Sequence, residues 1–111
     1  MHYKVFYFFE RSGETVSSAR AVEMSAKDIC EQLLGRLQGG DDYLGIVDAR
    51  ENVLQILCEP GGERCWVEMP IEAAKASFGR HMSMAEVGQL LRSLPQVIDR
   101  ERIPGLCYKP W

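Results

Sequence analysis

At 111 residues, with 46% apolar and 26% charged residues, the chain has ordinary globular composition and the size of one domain, 1–111. That length leaves no room for a separate catalytic domain, and no apolar run approaches the ~20 residues of a membrane-spanning helix. The net charge of −3 conceals an acidic middle, since residues 41–72 hold eight acids against Arg50 and Arg64, net −6; this disfavours a nucleic-acid phosphate backbone and favours a basic partner.

Residues 3–9 are aromatic and β-branched and predict a strand. Its apolar side chains fall on both faces, which suggests a central place in a sheet. Residues 1–9 are too short and too aromatic for a secretion signal and no small-residue cleavage site follows, so a cytosolic location is expected. Ser12-Gly13 turns the chain into a more polar strand over 15–22. Ser25 and Asp28 then cap a helix with a buried stripe of Ile29, Cys30, Leu33, Leu34 and Leu37, ended by Gly39-Gly40. Three short strands follow, over 43–47, 53–58 and 64–69, with Pro70 stopping the last and residues 71–76 forming a helical turn or two. Ser83 and Glu86 make a capping box for a second helix, in which Val87, Leu90, Leu91 and Leu94 recur at i, i+3, i+4 and i+7 before Pro95. Residues 104–111, with two prolines and a glycine, read as an extended tail docked by Trp111. The order β-β-α-β-β-β-α predicts an α+β fold, an antiparallel sheet of about five strands with two helices on one face.

The Gly61-Gly62 hairpin can be paired by arithmetic. A turn centred between the glycines makes paired positions sum to 123, so Cys58 faces Cys65, Ile56 faces Val67 and Leu54 faces Met69 on one apolar side. The other side pairs Leu57 with Trp66, Gln55 with Glu68 and Glu59 with Arg64, the mixed chemistry of an interface. Trp66 there is either covered by its own chain, through residues 71–78 or the tail, or is a binding anchor. Cys58 and Cys65 form a non-hydrogen-bonded pair if the loop has four residues; free thiols are expected.

Motifs for chemistry are sparse. The chain has no Cys-x-x-Cys, no His-Glu-x-x-His and no phosphate-cradling loop, so no metal or cofactor is expected. Cys58, Cys65, His81 and Cys107 fit no standard zinc spacing. Arg80, Arg92, Arg100, Arg102 and Lys109 lack the interleaved aromatics of a nucleic-acid platform. A thiol-dependent enzyme using Cys107 or Cys58 with His81 is the alternative from another class, and a homodimer through Trp66 or the first strand is a third.

Between residues 43 and 95, Leu54-Gln55, Trp66-Val67-Glu68-Met69-Pro70, Ser77-Phe78-Gly79, Ser83-Met84-Ala85-Glu86 and Leu94-Pro95 resemble a group of small bacterial proteins found as immunity partners of secreted toxins. The resemblance implies a non-enzymatic inhibitor that occludes a basic toxin site with an acidic surface. On that reading Gln55, Glu59, Glu63, Trp66 and Glu68 form the contact face, while Asp41, Asp42, Asp48 and Glu51 steer the partner.

Overall fold

The computed structural model describes residues 2–111. All eight strands lie in one antiparallel sheet. They are β1 (His2–Phe9), β2 (Glu14–Val16), β3 (Val22–Ser25), β4 (Tyr43–Val47), β5 (Val53–Cys58), β6 (Arg64–Ile71), β7 (Ala76–Ser83) and β8 (Cys107–Pro110). Neighbours run β2, β1, β4, β5, β6, β7, β8, with β3 beside the other half of β1. The expected class is therefore present, but the expected count of about five strands is too low.

Three strands account for the difference. The single strand expected over 15–22 is interrupted by a 3-10 turn at Ser18–Arg20, so its two parts pair separately with the two halves of β1. Residues 76–83 hold no β-branched residue, so their local strand signal is weak. Eight register pairs with β6 nevertheless make them β7. The tail becomes β8 by pairing with β7, and Trp111 docks it: its N–H donates to the Lys75 carbonyl and its indole to Ser77 Oγ, each at 2.9 Å. Pro70 does not end β6, which continues to Ile71. The last β5–β6 pair is Gln55–Glu68, so Pro70 sits where β6 pairs with β7 alone and a missing donor is tolerated. Only Glu72–Ala74 of the expected helical stretch is helical, as one 3-10 turn.

The first helix begins as α1 (Ala26–Asp28), with Ser25 Oγ accepting from the Asp28 N–H. It widens into π-type turns over Ile29–Leu33 and closes as a 3-10 turn over Leu34–Arg36. The second, α2 (Met84–Arg92), carries the full Ser83–Glu86 capping box. Among the described residues no helix is long and apolar enough to cross a membrane. Ile29, Leu33 and Leu37 from the first segment meet Val87, Leu91 and Leu94 over Ile46, Leu54, Ile56 and Val67 of the sheet. Each such fully buried aliphatic contributes about 1.5–3 kcal/mol.

The Gly61-Gly62 hairpin has the register that alternation demands: Cys58 opposite Cys65, Leu57 opposite Trp66 and Gln55 opposite Glu68. Glu59 N–H donates to the Arg64 carbonyl and Cys58 N–H turns away to Asp42. The loop is thus the four-residue kind, and the two cysteines are a non-hydrogen-bonded pair. Their sulfurs lie 3.9 Å apart as free thiols on the core face.

Candidate functional site

Alternation places Phe6, Phe8, Tyr43, Leu57, Trp66 and His81 on the face opposite the helices. Among the described residues no helix covers this side, and its own rings shield part of it. Phe6 lies across Gly45 and Trp66 across Gly79; a Cβ on either glycine would overlap the ring above it. Tyr43 closes the patch against Phe6 and Phe8, with centroids 6.4 and 6.1 Å away. Leu57, opposite Trp66, is 36% exposed.

Trp66 is half-buried, so its own chain covers it in part. The tail does reach it, because Lys109 of β8 places its ammonium 5.1 Å from the ring centroid. His81, its partner on β7, meets it edge to face at 5.0 Å. The indole N–H donates to Glu68 Oε1 at 2.8 Å. Glu68 Oε2 accepts a long bond, 3.5 Å, from Ser77 Oγ, which itself accepts from the Trp111 indole. Ser77 is buried, so this chain of bonds fixes both tryptophans relative to the sheet. Together with His81 and Lys109 these residues line a cavity of about 360 Å³.

The acids of the 41–72 window do not form one patch. Glu59 and Glu68 share the open side with Gln55 and Trp66, as expected, but both are engaged. Glu59 is hydrogen-bonded to His81 Nδ1 and to Arg64 at 3.3 Å. Partial burial raises the Glu59 carboxyl, while His81 and Arg64 together hold it below its ordinary value. Glu63 is exposed at the hairpin tip, and Asp41 is exposed in the loop whose neighbour Gly39 packs on Gly62. Glu51 lies at the opposite end of β5, six residues and about 20 Å away.

Asp42 and Asp48 are not surface steering charges: they are 4% and 6% exposed. Asp42 accepts from the backbone N–H groups of Glu10 at 2.8 Å and Gln38 at 2.9 Å. Asp48 accepts from the N–H groups of Arg50, Asn52 and Ile98 and from Asn52 Nδ2, at 2.7–2.9 Å. Burial pushes the Asp48 carboxyl up, but these hydrogen bonds outweigh it and leave the group below its ordinary range. Both acids staple loops to the sheet, because a buried carboxylate is tolerated only when donors surround it.

Cys58 is on the core face and His81 on the open face, so the sheet separates the proposed Cys58–His81 pair. Burial pushes the Cys30 and Cys58 thiols up and carries Cys65 to about 12. Cys107 is exposed on β8, and its sulfur donates to the Gly105 carbonyl at 3.6 Å. Among the described residues no group of three or more His, Cys, Asp or Glu is arranged to hold a metal ion. A larger cavity, about 560 Å³, opens between the 48–52 turn and residues 97–100. At its rim Arg100 lies 4.3 Å over the Phe78 ring and Asp99 caps Glu101.

His81, Ser77, Gly79 and Lys109 belong to the site although the hairpin pattern does not include them. They arrive through β7, which lies beside β6, and β8, which lies beside β7, and neither place has a local signature. The signal that was available is the small-residue alternation Ser77-x-Gly79, which leaves room for a large ring on the neighbouring strand. No protein-family model, curated protein or solved structure matches the chain, so the functional reading rests on these residues.

Proposed function

We propose that this protein is a non-enzymatic protein-binding module whose contact surface is the open face of the sheet, centred on Trp66. The observation that carries this is a half-buried tryptophan with a fixed N–H, ringed by exposed Leu57, Trp111 at 64% exposure and a charged rim. Rigid aromatic anchors inside a polar rim are the parts from which binding hot spots are made. Glu63 and Asp41 at the hairpin end supply negative charge that favours a basic partner. The resemblance to immunity proteins narrows the reading further, to a toxin domain whose basic site this face covers.

The test is co-expression with the product of the adjacent reading frame, comparing wild type with Leu57→Lys. Neutralisation and co-purification should be lost in Leu57→Lys, while Glu63→Lys with Asp41→Lys should slow association, most at low salt. A folded Leu57→Lys protein that binds like wild type rejects this face. Light scattering adds a further check, since a dimer abolished by Leu57→Lys makes the partner a second copy.

A thiol enzyme predicts a different result. Under native alkylation Cys107 should react at the rate of an ordinary exposed thiol, and Cys58 and Cys65 only as the chain opens. A thiol that reacts far faster than free cysteine would instead favour the enzyme.

A further inference from the structure

The cleft between Trp66 and Trp111 has a feature that its internal bonding does not account for. Glu68, half-buried at its floor, receives only neutral donors, the Trp66 indole and the Ser77 hydroxyl. The ion pairs among the described residues involve Glu14, Glu23, Glu59 and Glu86, and no Lys, Arg or His nitrogen lies within ion-pair distance of Glu68. A carboxylate partly removed from water with its charge unpaired attracts a cation more strongly than an exposed one does. The walls suit the same ligand. Both indole N–H groups are tied back, at 2.8 and 2.9 Å, so the rings are held in place.

One cation is already present on this surface. Lys109 lies over the Trp66 ring at 5.1 Å, yet it belongs to an exposed edge strand and makes no ion pair. A cation–π contact at an exposed site holds a side chain only weakly. The cavity, about 360 Å³, is at the small end for ligand sites and suits one long side chain better than a cofactor.

We infer that the Trp66–Trp111 cleft receives a lysine or arginine side chain of the partner protein, which displaces Lys109 and pairs with Glu68. This rests on the reading of the open face as the binding surface and names the chemistry at its centre. Lys109 is then a self-occupant that lowers affinity in the free protein, and the basic partner supplies the missing charge.

The test needs no partner. The full chain is titrated with N-acetyl-lysine amide and N-acetyl-arginine amide, with N-acetyl-leucine amide and acetate as controls. Indole fluorescence and the ring-current-shifted Lys109 ε-methylene resonances are followed. The cationic probes should saturate and return the Lys109 resonances toward their free position. Lys109→Ala should bind them about two- to fivefold tighter. Glu68→Gln, which keeps an acceptor for the Trp66 indole, should bind about tenfold weaker. Should Glu68→Gln not fold, Trp111→Leu at an exposed position removes one wall and must weaken binding as well. Absence of saturation in both wild type and Lys109→Ala overturns the inference, as does an equal response to leucine amide or acetate. A partner that is lost in Leu57→Lys but unaffected by Glu68→Gln overturns the cleft while leaving the face intact. Cation binding without any partner has the opposite meaning.

Discussion

The turn after β4 and the turn after β5 are both acidic, both short and at opposite ends of the same strand. In the first, Asp48 is buried and gathers four donors from residues 50, 52 and 98. In the second, Glu59 sits at the edge of the open face with His81 and Arg64, and Glu63 points into solvent. The difference lies in what crosses each turn. The segment around Ile98 passes over the first and brings a buried N–H that needs an acceptor. Residues 38–42 pack on the second, Gly39 against Gly62, but bring no donor to Glu63, so that carboxylate stays exposed. A run of acids along a chain is therefore not a surface until the neighbouring segments are known.

The strongest way to break this contrast is Asp48→Ala. It orphans the buried Ile98 N–H and loosens the turn, and should cost about 3 kcal/mol in chemical denaturation. Glu63→Ala should change stability by less than about 0.5 kcal/mol. Equal losses would mean that the two turns do not differ as described.

Two glycines extend the contrast, one under a ring on the sheet and one in an open helical turn. Gly79→Ala would drive a methyl into the Trp66 indole, with the Val67 carbonyl already 3.0 Å away, and should cost about 1–3 kcal/mol while altering the near-ultraviolet circular dichroism of tryptophan. Gly35→Ala meets open space in a helical turn and should stabilise slightly, by up to about 1 kcal/mol.

The acid limb of the stability curve sharpens the comparison. The Asp48 carboxyl lies lower in the folded chain than in the unfolded one, where it titrates near the ordinary ~3.9. Its contribution is therefore complete above about pH 4 and is lost as pH falls through the folded value. Asp48→Asn should flatten that limb in unfolding measurements from pH 2 to 5. Glu86, lowered by the Ser83 backbone N–H, shifts in the same direction and leaves a residual slope. The smallest expected effect is that of Glu63→Lys with Asp41→Lys, which should leave thermal stability nearly unchanged and act on association alone.

Much of the fold is legible because its rules are short-ranged. The double glycine and strict alternation fix which of residues 54–58 and 65–69 point together, and the observed register agrees pair by pair from Gln55–Glu68 to Cys58–Cys65. Ser83 and Glu86 announce α2 because a capping box is complete within four residues. The site is less legible. Gln55, Glu59, Trp66 and Glu68 are correctly placed on one side, since that follows from the same alternation. Asp42 and Asp48 are misread as surface charge, since nothing within a few residues of either reveals the donors that bury it.

Local sequence thus determined the α+β class, the hairpin register and the helix starts, all consequences of backbone periodicity and caps that span only a few residues. Tertiary structure alone decided that weakly β-forming residues 76–83 become a strand, that the tail joins the sheet, and that Lys109 and Trp111 share a cleft with Trp66. Those outcomes depend on pairings between distant segments, where the gain comes from closing a ladder or filling a space that exists only after the rest of the chain has folded.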